Sequence, residues 1–205
     1  MIPARHHKLY VAFFEVYARW MMHAHFSKIR CIGSVKLNNL PVMMIGNHFS
    51  WWDGFIAGYI NMKVLKKKLH IMMLEEELRP RMFLNRTGAY SIRKGSRDML
   101  ATIDYTAELL NDSNNLVVMF PQGEFQSIYQ HPVTFGRGVQ LISSRAGHEF
   151  QLLFYAALID YFSSRKPSLN IYLQEFPAIL SQSGASLESA YNEFLSACYK
   201  QQVPL

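Results

Sequence analysis

Short apolar runs alternate with helical patterns along most of the chain, and this alternation constrains the fold more than any other feature. Strand-like runs cover residues 30–37, 41–45, 70–74, 90–92, 116–120, 150–159 and 169–176. The spacing of apolar residues predicts helices over 51–61, 96–110, 139–146 and 187–200. Strands alternating with helices predict an α/β fold with a mixed, largely parallel sheet flanked by helices.

The composition indicates one folded domain of ordinary size. Half of the 205 residues are apolar and 14% are aromatic, which excludes intrinsic disorder. Two cysteines are too few for a disulfide framework and lack the paired spacing of a zinc site, so we expect a reducing compartment. We therefore predict an N-terminal amphipathic helix within residues 1–28, followed by a single α/β domain over residues 29–205.

The N-terminal segment carries an apolar stripe at helical spacing. Glu15 and Arg19, four residues apart, fall on the other side of this helix. Two interpretations stay open for the stripe: a helix packed on the core, and a helix lying in a membrane interface. No run reaches the roughly 18 uncharged apolar residues of a membrane span. The stripe comprises Leu9, Ala12, Phe13, Val16, Tyr17, Trp20, Met21 and Ala24.

The charge is unevenly distributed along the chain. Residues 1–100 hold 16 Lys and Arg against 6 Asp and Glu, whereas residues 101–205 hold 5 against 9. The first half therefore suits an anionic partner: a phospholipid surface, cofactor phosphates or, least favoured for want of a motif, nucleic acid. The basic run from Lys63 to Lys68 is interpreted either as a solvated face or as part of such a surface.

The most distinctive segment for chemistry runs from Gly46 to Gly54, where a strand ends and a helix begins. In open α/β sheets, sites collect at such strand ends. His48 and Asp53 lie five residues apart across this turn. The carboxylate is expected to accept the proton of one ring nitrogen, so that the other nitrogen acts as a general base.

A second unusual cluster follows another predicted strand, at Val118–Glu124. Because it also lies at a strand end, the two loops are expected to close on one cleft.

These segments together resemble the glycerolipid acyltransferases of the 1-acylglycerol-3-phosphate acyltransferase type, the PlsC-like family. The resemblance covers about residues 30–160 in the right order. Gln122 stands where the family usually has Glu, and Phe125 where it usually has Arg. The matching stretches are Asn47-His48-x4-Asp53, Gly88 to Lys94, Phe120 to Phe125, and Phe135-Gly136-Arg137-Gly138.

The resemblance implies transfer of a fatty acyl group from acyl-CoA or an acyl carrier protein thioester to a lipid hydroxyl. His48 then deprotonates the acceptor, which attacks the thioester carbonyl, and Asp53 orients His48. Backbone N–H groups of Gln122, Gly123 and Glu124 are expected to stabilise the oxyanion. Basic side chains are expected to bind phosphate groups of the substrates. These are Arg93, Lys94, Arg97 and Arg137.

The thioester is a co-substrate, and no further cofactor or metal is expected. The acceptor stays open among lysophospholipids, amino-acid lipids and other hydroxylated amphiphiles. We expect a peripheral protein on the cytoplasmic, inner face of an anionic membrane.

Two other functions stay open. The same base would activate water in an acyl-thioesterase. A non-catalytic membrane lipid-binding module would use His48 and Asp53 only as a structural cap. For Arg93, Lys94 and Arg97 the alternative is a solvated basic turn.

Overall fold

The computed structural model describes residues 1–93, 95, 98–176 and 184–202. A π-helical turn (Asn61–Leu65) follows α2, and a short 3-10 turn (Arg79–Arg81) separates α3 from α4. In chain order, the other elements are α1 (Lys8–His25), β1 (Lys28–Ile32), β2 (Val42–Gly46), α2 (Asp53–Ile60), β3 (Lys68–Leu74), α3 (Glu75–Leu78), α4 (Met82–Asn85), β4 (Ala89–Ile92), α5 (Asp98–Leu109), β5 (Asn115–Met119), α6 (Gly138–Arg145), β6 (Gln151–Asp160), β7 (Ser168–Phe176) and α7 (Gly184–Lys200).

The seven strands form one sheet in the order β1-β7-β6-β2-β5-β3-β4. Strands β6, β2, β5, β3 and β4 are parallel to one another. Strand β7 is antiparallel to β6 and parallel to β1. The prediction of a mixed, largely parallel sheet flanked by helices is confirmed.

Helices cover both faces of the sheet. Side chains of α1 and α2, including Met22 and Ile56, pack on one face. Side chains of α5, α6 and α7, including Ile103, Ile142 and Tyr191, pack on the other. Because a central parallel strand is buried on both faces, all five residues of β2 are buried and read as a continuous apolar run.

Two predicted boundaries are wrong, one by five residues and one by two. The first strand ends at Ile32 instead of residue 37, because Gly33 turns the chain with a φ of 107°. A side chain at Gly33 would also collide with the carbonyl oxygen of Leu173. The helix predicted from Trp51 begins at Asp53, since Trp51 and Trp52 form a turn in which the Trp52 N–H binds the Ser50 hydroxyl.

Helix α1 packs on the domain through a different side from the predicted stripe. Ala18 and Met22 are its buried residues. The stripe residues Leu9, Phe13, Val16 and Trp20 are exposed instead. The core interpretation is therefore wrong for these four side chains, which form an outward apolar face. No helix in the described ranges is both long and apolar enough to cross a membrane.

Candidate active site

The first motif lies in the loop between β2 and α2. Strand β2 ends at Gly46, and α2 begins at Asp53. Strand β2 is hydrogen-bonded to β5 on one side and β6 on the other, both parallel to it. The loops that follow β2, β5 and β6 therefore emerge at the same edge of the sheet.

The Asp53 carboxylate organises this loop. Its Oδ2 atom accepts hydrogen bonds from His48 Nδ1 at 2.7 Å, from the Phe49 N–H at 2.8 Å and from the Ser50 N–H at 3.0 Å. The Asp53 side chain is only 2% exposed. Three donors around one oxygen hold a buried negative charge and fix the backbone on both sides of the turn.

This arrangement determines the tautomer of His48. A carboxylate accepts hydrogen bonds, so the Nδ1 atom of His48 carries the proton. In the neutral ring, Nε2 then bears the lone pair. The side chain is 22% exposed, which leaves the ring accessible to a substrate. The pair therefore has the geometry of a general base with an orienting carboxylate.

The start of the loop is fixed by β6. The Asn47 amide donates to the carbonyl oxygen of Ala157 and accepts from the Ala157 N–H, both at 2.9 Å. Gly46 lies against the buried ring of Tyr155, where an added Cβ would come within 2.0 Å of the ring. Burial raises the pKa of Tyr155 well above its usual value. The sequence analysis assigned Tyr155 no role at the site.

The second predicted loop docks directly on His48 through Gln122. The Gln122 Oε1 atom accepts from the His48 backbone N–H at 2.6 Å, and its Nε2 donates to Gln126 Oε1 at 2.9 Å. The Gln126 N–H donates in turn to the His48 carbonyl at 2.9 Å. The structure thus brings the loops after β2 and β5 together, as their positions in the sequence predicted.

Two phenylalanines enclose the His48 ring. The Phe120 ring lies 4.4 Å from it, nearly parallel at an interplanar angle of 21°. The Phe125 ring lies 4.3 Å from it at 37°. Phe125 is largely exposed, so it covers the imidazole from the solvent side. The motif residue at which the related family usually has Arg therefore contacts the general base through an aromatic ring.

The remaining residues of this loop are less buried. Gly123 has a φ of 70°, and its N–H donates to the Phe120 carbonyl at 3.1 Å, which closes the turn. Glu124 and Arg137 are exposed. The Gly136 N–H donates to the Pro121 carbonyl at 2.7 Å, so Arg137, the residue just before α6, lies beside the loop.

Arg93 lies apart from His48 and pairs with carboxylates. Its guanidinium contacts Glu75 at 2.6 Å and Asp98 at 3.2 Å. Arg79 contacts the same Glu75 oxygen at 2.6 Å. The hydrogen bonds from Arg93 and Arg79 lower the pKa of Glu75 to about 2. Strand β4, which precedes Arg93, is three strands from β2, a separation of roughly 14 Å.

The sequence analysis assigned no role to Glu75, the carboxylate that binds Arg93. It is the first of three consecutive glutamates, and of the three it is the only one whose side chain is buried. Nothing in the repeated residue type distinguishes it from its neighbours. Lys94 and Arg97 lie outside the described residues.

The basic run lies at the opposite edge of the sheet from His48, because it precedes β3. The Lys67 ammonium group donates to the carbonyl oxygens of Leu40 and Ser113. It therefore stabilises two loops there.

A cleft of about 360 Å³ opens beside the His48 loop. Phe49 and Ser50, which directly follow His48 in the loop after β2, form one part of its wall. Asp160, the last residue of β6, belongs to another part. Four aromatic side chains, two isoleucines, one serine and one carboxylate line it. The aromatic and polar members are Phe49, Trp52, Tyr129, Tyr161, Ser50 and Asp160.

The profile of the Acyltransferase family matches residues 28–148, which is more than half of the chain. The chain therefore belongs to the Acyltransferase family. No curated protein sequence matches it significantly.

Among solved structures, the chain is similar to the 1-acyl-sn-glycerophosphate (LPA) acyltransferase PlsC from Thermotoga maritima. The TM-score is 0.65 at 11% sequence identity, over 95% of this chain and 81% of that chain. The likeness shows that the chain has a PlsC-like fold.

Replacing Gln122 tests the contact between the two loops. We expect Gln122→Ala to lower kcat for acyl transfer about tenfold, because the His48 N–H loses its acceptor and the ring shifts. Gln122→Glu keeps an oxygen at this position and should stay within about threefold of the parent.

Steady-state kinetics on the purified variants measure both effects. Gln130→Ala, in the same loop but exposed, is the matched control. Equal kinetics for Gln122→Ala and Gln130→Ala would contradict this role of Gln122.

Proposed function

We propose that the protein transfers a fatty acyl group from acyl-CoA or an acyl carrier protein thioester to the hydroxyl of a lysophospholipid or related lysolipid. The observation that carries the proposal is the contact between His48 Nδ1 and the buried Asp53 carboxylate. Membership of the Acyltransferase family gives the reaction class. Donor and acceptor are carried over from the resemblance of the motifs to those of the glycerolipid acyltransferases, and the PlsC-like fold is consistent with them.

In the proposed reaction, the Nε2 atom of His48 removes the proton of the acceptor hydroxyl. The acceptor oxygen bonds to the thioester carbonyl carbon, and the carbonyl oxygen takes the negative charge. When the carbonyl re-forms, the carbon–sulfur bond breaks and the leaving thiolate takes the proton from the imidazolium. Asp53 stabilises that imidazolium throughout.

Backbone N–H groups after β5 are the proposed oxyanion donors. The Gly123 N–H is bound to the Phe120 carbonyl, so we assign this role to Gln122 and Glu124. They lie in the loop whose Gln122 side chain binds the His48 backbone. Fixed donors of this kind stabilise the charge that develops during attack on the carbonyl.

Phosphate contacts are assigned first to Arg137. Arg137 is exposed and lies next to the loop that contains Gln122. Arg93 instead pairs with two carboxylates at the end of β4, three strands from β2. Arg93 stays a candidate for a more distant phosphate, such as one on a carrier group of the donor. Lys94 and Arg97, outside the described residues, stay candidates for phosphate binding.

A thioesterase is the second candidate function. The same general base would activate water in place of a lipid hydroxyl, and the exposed part of the His48 ring is accessible to either. The products distinguish the two reactions, since hydrolysis releases free fatty acid with or without an acceptor. A lipid-binding module would form neither product.

Replacing His48 tests the proposed mechanism. We expect His48→Ala to lower formation of acylated lipid about 10²–10⁴-fold, because the variant lacks the general base that accepts the hydroxyl proton. Mass spectrometry of products from long-chain acyl-CoA, or the carrier protein thioester, and a lysolipid extract measures this loss. It also identifies the acceptor.

The exposed His148→Ala variant is the matched control. Free fatty acid as the sole product would favour the thioesterase. Parent-like transfer by a folded His48→Ala variant would contradict the mechanism.

We propose in addition that α1 lies on the inner face of the cytoplasmic membrane. Phe13 is 70% exposed and Trp20 is 61% exposed on its outward face. Arg5, Lys8 and Lys28 flank the helix and suit the headgroup region of an anionic surface.

Aromatic contacts connect α1 to the loop that holds His48. The Phe14 ring of α1 lies 5.5 Å from the Phe55 ring, and the Trp51 ring lies 4.6 Å from the same ring. Trp51 is itself largely exposed. A membrane under α1 would therefore bring the acceptor lipid close to His48.

Removing the outward aromatic side chains tests this orientation. We expect the double variant Phe13→Ser, Trp20→Ser to bind anionic vesicles at least about tenfold more weakly, because two large apolar surfaces leave the interface. Vesicle co-sedimentation measures the affinity, which should also fall with added salt.

Leu100→Ser, which removes an exposed apolar side chain from α5, is the matched control. Equal vesicle binding by the two variants would refute the assignment of α1 to the membrane.

A further inference from the structure

We propose that the cleft beside His48 binds an ammonium group, carried by the headgroup of the acyl acceptor. The proposal rests on the transferase function for the identity of the ligand as an acceptor. The binding of ammonium itself depends only on the residues that line the cleft.

Aromatic residues make up half of the wall of this cleft. Phe49 and Trp52 come from the loop between β2 and α2, Tyr129 from the loop after β5, and Tyr161 from the end of β6. Aromatic rings that converge from separate elements attract cations through their π electrons, and quaternary ammonium groups are bound in this way.

One carboxylate completes the wall. Asp160 is the last residue of β6, and its Oδ2 atom accepts from the Gln202 amide at 2.6 Å. The Ser168 hydroxyl donates to the Asp160 carbonyl at 3.0 Å. The first bond orients the carboxylate and the second fixes the backbone of Asp160 at the end of β6. As a residue of the cleft wall, Asp160 supplies the charge that is complementary to an ammonium group.

The lining disfavours the other groups of a lipid substrate. Among the described residues around the cleft there is no Lys or Arg, so a phosphate monoester would place its charge against Asp160 without a counterion. An acyl chain would cover the same carboxylate with hydrocarbon and remove it from water, at a cost in free energy. An ammonium group instead satisfies the aromatic rings and the carboxylate together.

The position of the cleft fits an acceptor whose hydroxyl reaches His48. Phe49 and Ser50, which line the cleft, are the two residues that follow His48. A lysolipid with choline, ethanolamine or an amino acid in its headgroup carries its ammonium a short linker away from the free hydroxyl. Arg137, beside the loop after β5, is then available for a phosphodiester between the two.

Two matched acceptors and two pairs of variants test the proposal. The acceptors are lysophosphatidylcholine and lysophosphatidate with the same acyl chain. We expect the full-length protein to acylate the choline lipid with the higher kcat/KM. Asp160→Asn should lower that kcat/KM about tenfold without lowering the value for lysophosphatidate, whose phosphate no longer faces a negative charge in this variant. Asp104→Asn, an exposed carboxylate on α5, is the control.

The aromatic contribution is tested at Tyr129, which is 83% exposed and therefore tolerates replacement without loss of the fold. Tyr129→Phe keeps the ring face and should retain the preference for the choline lipid. Tyr129→Leu should lose several-fold in kcat/KM for that lipid.

Titration calorimetry with phosphocholine separates this proposal from the transferase function. Binding that Asp160→Asn weakens, with no acylation of any acceptor, would support the ammonium site and contradict the transferase. Acylation that prefers lysophosphatidate, with equal rates for Asp160→Asn and Asp104→Asn, would overturn the ammonium site alone. Absence of both binding and acylation would overturn both.

Discussion

The candidate active site depends on one buried oxygen atom, Oδ2 of Asp53. It binds the His48 ring and the next two backbone N–H groups of the loop, at distances between 2.7 and 3.0 Å. The same contact therefore sets the path of the chain and the tautomer of the base. A carboxylate so buried is stable only with such donors, because an unpaired charge there would cost several kcal/mol. The chemistry of His48 and the local fold thus have a common cause.

The sheet brings the other parts of the site to this loop. Strand β2 lies between β6 and β5, although neither of these strands is next to it in chain order. Strand β6 fixes Asn47 and the loop after β5 supplies Gln122. Phe125, where the related family usually has Arg, adds an aromatic ring over the imidazole. The surroundings of the base are consequently aromatic, whereas the guanidinium of Arg93 pairs with carboxylates at the end of β4, three strands from β2.

The strands and the pairing of His48 with Asp53 could be predicted, because alternation and a five-residue spacing are local properties of the sequence. The contact of Asn47 with Ala157 spans 110 residues and follows from a strand order that no local pattern contains. The partner of Arg93 could not be chosen among three consecutive glutamates. In α1, apolar residues such as Phe13 and Phe14 occur on both sides, so packing alone decides which side faces outward.

The most direct test of this account is the protonation state of the His48 ring, measured by ¹⁵N NMR of the histidine-labelled protein above the titration of the ring. Because Nδ1 donates to Asp53, we predict a protonated Nδ1 and an unprotonated Nε2. A protonated Nε2 in the neutral ring would contradict the account, since that nitrogen could then not accept the proton of an acceptor hydroxyl.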